Sequence, residues 1–198
     1  KLTDKYELIE FEALDQAISE NPDVAFVCNP SSLHLDTALI LAKNKINLFI
    51  EKPLAVSTYG INELENQIIE NRIIDMVGFQ TRFNPLVIKA KDIISSSKYG
   101  KIISAEFKWC TYLPDHHPYE DFRNGYAARR DLGGGVTFSL IHELDLIQWF
   151  FGLPATVYGA RGGPSKLKIE VEDNIAAIFN CFAGSHSYPV QLNLSFAQ

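Results

Sequence analysis

The sequence predicts two kinds of fold in succession: an α/β parallel sheet over residues 1–80, then an α+β domain with a mainly antiparallel, open sheet over residues 81–198. Three observations predict this. The runs Val24-Ala25-Phe26-Val27 and Asn47-Leu48-Phe49-Ile50 are short and apolar, as strands buried on both faces of a parallel sheet are, and they bracket a helical pattern. Lys101 to Tyr112 alternates, with Ile103, Ala105, Phe107 and Trp109 on one face and Ser104, Glu106 and Lys108 on the other, as an antiparallel strand with one covered face does. Near Gly78 the chain changes from alternating strands and helices to mainly strands.

Each element follows from local chemistry. Tyr6 to Phe11 looks like the segment around the third strand of a longer sheet, and Glu12 to Glu20 reads as a short helix stopped by Asn21-Pro22. Leu35, Ala38, Leu39 and Ala42 recur at helical spacing, with Lys43 and Asn44 where a helix ends. A right-handed crossover through this helix places Asn29-Pro30 and Glu51-Lys52-Pro53 on one sheet edge, the edge where open α/β sheets bind ligands. Ser57 caps a further helix reaching Asn71, and Ile73 to Phe79 is the last parallel strand. From Asn84-Pro85 a helix runs to about Ser95 with Leu86, Ala90, Ile93 and Ile94 inward. Phe138 to Phe151 is the next helix, and Thr156 to Arg161, Asn174 to Phe182 and Val190 to Phe196 supply strands.

Composition narrows the function classes. The 46% hydrophobic content supplies a core, and a net charge of −6 argues against nucleic-acid binding, although Arg129-Arg130 would suit one phosphate or carboxylate. No apolar run reaches membrane-spanning length, because Glu143 and Asp145 interrupt Val136 to Phe151. Cys28, Cys110 and Cys181 are odd in number and have apolar neighbours, which reads as reduced core thiols in a cytoplasmic protein. His116-His117 lies among acids in the long irregular stretch from Tyr112 to Tyr126. Adjacent histidines aim poorly at one ion and no other ligand has matching spacing, so no metal is expected there.

Candidate site residues come from position. Lys52 stands just past a buried strand, where desolvation lowers an ammonium pKa and suits it to proton exchange with a hydroxyl. Ser139, His142 and Asp145 are spaced three apart and share a helix face behind Gly133-Gly134-Gly135, whose turn opens a helix start to an anion. Two readings of His142 stand side by side: a core histidine fixed by Asp145, or a proton carrier. Phe107 and Trp109 read as core, whereas Tyr119, Arg123 and Tyr126 are placed for substrate by their loop alone.

These motifs occur in an order that resembles the Gfo/Idh/MocA family of nicotinamide-dependent sugar oxidoreductases. The resemblance rests on Asn29-Pro30 and His34, Glu51-Lys52-Pro53, Val77 to Pro85, the three glycines and His142-Glu143-Leu144-Asp145, and runs from about Tyr6 to the end. It implies a Rossmann-type first domain binding NAD or NADP through Asn29, Pro30, His34, Glu51, Lys52, Pro53, Gln80 and Arg82. It implies catalysis by Lys52, His142 and Asp145, with Lys52, Tyr119, Arg123, Tyr126 and His142 toward a sugar, cyclitol or nucleotide sugar. Ser139 stands where similar proteins carry an acid, which leaves Lys52 and His142 to share the chemistry with Asp145 orienting the imidazole. No Gly-x-Gly-x-x-Gly occurs and residue 1 is lysine, so the chain reads as part of a longer parent, incomplete at both ends. The resemblance further implies a homo-oligomer formed through the C-terminal sheet. Two rivals to net hydride transfer are a non-catalytic sugar-binding or assembly subunit, and an enzyme using transient oxidation for elimination or epimerisation.

Overall fold

The computed structural model describes residues 5–163 and 165–198. A short helix α1 (Leu14–Ser19) precedes the parallel sheet β1 (Val24–Val27), β2 (Asn47–Ile50) and β3 (Asp75–Val77) in spatial order β1-β2-β3. The crossovers are α2 (His34–Lys43) and α3 (Ile61–Asn71), which pack on each other and on one face of the sheet. That face holds a core of Val27, Ala38, Leu41, Ala42, Ile46, Leu48, Ile50, Leu64 and Ile73. The opposite face is open, with Val24, Phe26 and Met76 exposed, so the expectation of strands buried on both sides holds on one side only. Both described crossover helices lie on the same side. Residues 8–11 form no strand, and Leu8 and Ile9 are exposed.

Beyond β3 the chain turns through residues 80–83 into α4 (Pro85–Ser96), where Asn84 caps the helix by accepting from the Leu86 amide at 2.9 Å. The inward side of α4 is Val87, Ala90, Lys91 and Ile94. Leu86 and Ile93, expected inward, are exposed. The second sheet follows, with β4 (Ala105–Cys110), β5 (Thr156–Arg161), β6 (Asn174–Ala183) and β7 (His186–Ser195) in the order β4-β7-β6-β5. Two of its pairings are antiparallel, but β4 runs parallel to β7, contrary to the reading of its alternation. Alternation reports which face is covered and says nothing of a neighbour's direction. β4 is an edge strand, so Phe107 reaches the core while Trp109 is 45% exposed and Ile103 lies outside the strand.

The inner face of this sheet, Phe179, Cys181, Val190, Leu192 and Leu194, is covered by α5 (Val136–Ser139) and α6 (His142–Phe151) through Val136, Leu140 and Ile147. The single helix expected over 138–151 is thus broken at Leu140-Ile141, with Leu140 at φ −102° and ψ 34°. All three cysteines are free, but only Cys181 is buried. Cys28 is exposed, at the end of a strand whose outer face is open. Among the described residues no helix is long and apolar enough to cross a membrane.

Candidate functional site

The C-terminal ends of β1 and β2 open on a cleft of about 370 Å³ lined by Asn29, Pro30, His34, Glu51, Lys52 and, from the second domain, Tyr126. Parallel strands bring the first five to one edge, as the crossover geometry requires. His34 opens α2 and is buried. Its Nδ1 lies 2.6 Å from the Pro53 carbonyl and its Nε2 2.8 Å from the Asn29 carbonyl, so the ring sits between the two strand-end turns and its N–H donates to one of them, the tautomer deciding which. Asn29 donates to the Thr37 hydroxyl at 2.9 Å, while its Oδ1 is buried and without a partner. The Glu51 carboxylate accepts from the Lys52 amide at 3.2 Å and lies against Gly78, where a Cβ would come within 3.1 Å of it. Lys52 is joined to Pro53 by a cis peptide bond.

The Lys52 ammonium crosses to the second domain and donates to the Ser139 carbonyl at 2.9 Å. Burial lowers the Lys52 pKa, opposed by the charges of Glu51 and Glu143. The break after Ser139 presents this carbonyl at a helix end, where carbonyls lack intrahelical partners. His142 begins α6, edge-on to Phe79 at 6.1 Å between ring centroids. Burial lowers its pKa, the Lys52 charge lowers it further, and Asp145 and Glu51 work against this, so the imidazole is neutral at physiological pH. Its Nδ1 is buried without a partner. The structure therefore places Lys52 and His142, ninety residues apart in the chain, within electrostatic reach of each other.

Asp145 does not bond His142. Its two oxygens accept from Arg82 Nε at 2.8 Å and Nη2 at 2.5 Å, so it is held by the residues after β3. Arg82 is accordingly bound within the chain, and Gln80 is exposed on the same short turn. Of the loop residues, Tyr126 alone lines the cleft. Tyr119 is 80% exposed and its hydroxyl pairs with His117 at 2.6 Å, and Arg123 pairs with Asp121 at 3.1 Å. Tyr126 also borders a second cavity of about 130 Å³ with Leu113, His116, Phe122, Leu140 and Ser139, whose hydroxyl is buried and unpartnered. Arg129 is paired with Asp131 at 3.0 Å, and Arg130 donates to the Glu170 carbonyl at 2.6 Å. The start of α5 is likewise occupied, because the Thr137 amide donates to Glu172 Oε1 at 3.2 Å. Among the described residues no three His, Cys, Asp or Glu side chains converge on a metal position.

Sequence reasoning passed over Glu143. It is 6% exposed, its Oε2 has no partner, and burial raises its pKa to about 7 against the pull of its own amide and of Lys52. An acid directly beside a candidate proton carrier was the available signal.

Residues 87–188 match the family model for the GFO/IDH/MocA C-terminal domain, and residues 1–79 match that of the oxidoreductase family with NAD-binding Rossmann fold. Scyllo-inositol 2-dehydrogenase (NAD(+)) of Bacillus subtilis is 28% identical over 159 residues, 80% of this chain and 42% of that protein. A 2,7-anhydro-N-acetylneuraminate hydratase of Mediterraneibacter gnavus is 29% identical over 136 residues, 67% of this chain and 34% of its own. The chain thus spans well under half the length of these relatives. The fold recurs in the WlbA dehydrogenase of Bordetella pertussis, solved with NADH and UDP-GlcNAcA (TM-score 0.82, 21% identity, 95% of this chain and 56% of that one). It recurs also in the aldose-aldose oxidoreductase of Caulobacter crescentus (TM-score 0.85, 20% identity, 99% and 59%). The chain belongs to the GFO/IDH/MocA family of oxidoreductases.

Proposed function

We propose that the full-length protein transfers a hydride between a nicotinamide cofactor, NAD or NADP, and a hydroxyl or keto group of a sugar, cyclitol or nucleotide sugar. The observation that carries this is the Lys52 ammonium reaching from the end of β2 to the Ser139 carbonyl, beside a neutral His142. Asn29, Pro30, Glu51 and Lys52 would hold the nicotinamide end of the cofactor, and the polar side chains and strand-end backbone they bring to the cleft fit that group. The bound cofactor supplies the hydride acceptor or donor. One Lys52 proton is used on Ser139, leaving two to hydrogen-bond the reacting oxygen and stabilise its developing negative charge. In the oxidation direction His142 takes the hydroxyl proton as the carbon gives up its hydride and a carbonyl forms; reduction reverses each transfer. Tyr126, at the junction of cleft and second cavity, would pack on the sugar ring.

Residues 1–80 act in this reading as part of the dinucleotide-binding domain and 81–198 as the substrate domain. The outer face of the second sheet, with exposed Tyr158 and Ile178, is the surface on which copies would pair. Three free thiols support a cytoplasmic location. In the full-length protein, Lys52→Ala should reduce turnover of the true substrate at least a hundredfold while the melting temperature moves little. Turnover near that of the unsubstituted protein would refute the assignment. The relatives named as hydratases favour a second reading, transient oxidation without net cofactor reduction, which product analysis rather than cofactor absorbance would detect.

A further inference from the structure

We propose that the second cavity, of about 130 Å³, is a subsite for an acetamido substituent that the sugar carries on a carbon close to the reacting one. Its position follows from two shared residues. Ser139 lines it and also offers the carbonyl that receives the Lys52 ammonium at 2.9 Å, and Tyr126 lines both the cavity and the cleft. A sugar whose reacting oxygen sits at Lys52 therefore has this cavity beside it. Clefts that enclose a whole small molecule run to about 300–1,000 Å³, so this space takes a side group and not a ring. The lining decides which group. Leu113, Ala127 and Leu140 are buried and Phe122 is partly buried, which gives an apolar wall. His116, His117 and Glu120 are exposed and give a polar rim, with His116 held by the Thr111 hydroxyl 2.8 Å from its Nε2 and edge-on to Phe196. A plain hydroxyl would leave the apolar wall uncovered. An alkyl group would bring nothing polar to the rim or to Ser139, whose hydroxyl is buried and has no partner in the chain. A carboxylate or phosphate would meet Glu120 with no lysine or arginine among the described lining residues, and burial and His117 hold the His116 pKa below the ordinary imidazole value. An acetamido group brings a methyl for the wall and an amide N–H and carbonyl for the polar groups.

The substrate class this names rests on the hydride-transfer reading, but the fit of the side group does not need turnover. Calorimetric titration of the full-length protein, saturated with NAD or NADP, with UDP-N-acetylglucosamine and with UDP-glucose compares two ligands that differ only in the group on C2. N-acetylglucosamine and glucose repeat the comparison without the nucleotide. In at least one pair the acetamido sugar should bind about tenfold more tightly. Ala127→Val, which adds two methyl groups to a lining residue, should remove this preference. The ratio within a pair is the quantity to read, because partial unfolding of the variant scales both apparent affinities alike. No preference in either pair, absence of binding included, or a preference that survives Ala127→Val would overturn the proposal. Preferred binding of an acetamido sugar that is never oxidised or converted would leave the subsite standing and remove the hydride-transfer reading; oxidation of plain sugars with no preference would do the reverse.

Discussion

Arg82 and Asp145 join the end of the parallel sheet to α6 through two hydrogen bonds, Nε at 2.8 Å and Nη2 at 2.5 Å, with the aspartate side chain only 4% exposed. The bond to Asp145 is the main cause that raises the Arg82 pKa, so the guanidinium stays charged at any working pH. Removing one partner of a pair buried on one side leaves an uncompensated charge. Asp145→Ala should therefore lower unfolding free energy by about 2–4 kcal/mol. A double-mutant cycle with Arg82→Ala should recover part of that loss, because both charges then disappear. Strictly additive losses in urea titrations would show that the pair contributes nothing.

His142 carries the second prediction. Burial first, and the Lys52 charge next, hold its pKa below the ordinary histidine value. Lys52→Met removes the cation, so the imidazole should titrate higher in that variant, moving back toward about 6.5. An NMR titration of the His142 ring in both proteins checks the direction, and a midpoint that stays or falls would place the lysine out of electrostatic reach.

Elements and sheet edge were legible because they depend on local pattern: Leu35, Ala38 and Ala42 define α2, and the short apolar runs Val24 to Val27 and Leu48 to Ile50 define β1 and β2. From these the meeting of Asn29, His34, Glu51 and Lys52 at one cleft follows by topology. What lay hidden depends on tertiary geometry. Spacing of three residues put Ser139, His142 and Asp145 on one face only if the helix ran unbroken; the break at Leu140 separates Ser139 from the other two, and Asp145 is held by Arg82, sixty-three residues away. The outward turn of Leu86 and Trp109 was hidden for the same reason: no pattern states which neighbour covers a face. His34 was legible as a site residue by position, but its two carbonyl partners are nineteen and five residues away and no periodicity announces them.

Gly133 gives a third prediction. It adopts φ +80°, and a Cβ there would lie 2.7 Å from Val56 Cγ1 and 2.9 Å from the Ser32 amide, which itself donates to the Leu132 carbonyl at 3.3 Å. Backbone strain and overlap act together, and the Ser32 atom cannot yield without moving the turn that forms the cleft wall. Gly133→Ala should cost about 2–4 kcal/mol and should also weaken cofactor binding by the full-length protein. A variant with unchanged urea midpoint would show that the loop relaxes freely.

The last prediction concerns Glu143 and the pH dependence of folding. Its carboxyl titrates at about 7 in the folded protein, raised from 4.5 chiefly by burial. The folded state therefore holds this proton more tightly than the unfolded state does. The contribution of the neutral carboxyl is present in full below about 4.5, and is lost as pH rises through 7, where the buried group must ionise. A shift of this size corresponds to at most about 3 kcal/mol. Glu143→Gln cannot ionise, so its stability relative to the unsubstituted chain should improve steadily between pH 4.5 and 7 and level off above. Urea unfolding of both proteins at half-unit pH intervals measures this directly. Two curves that run parallel across the window would mean that the carboxyl is solvated or ionised throughout, and that its burial imposes no charge cost.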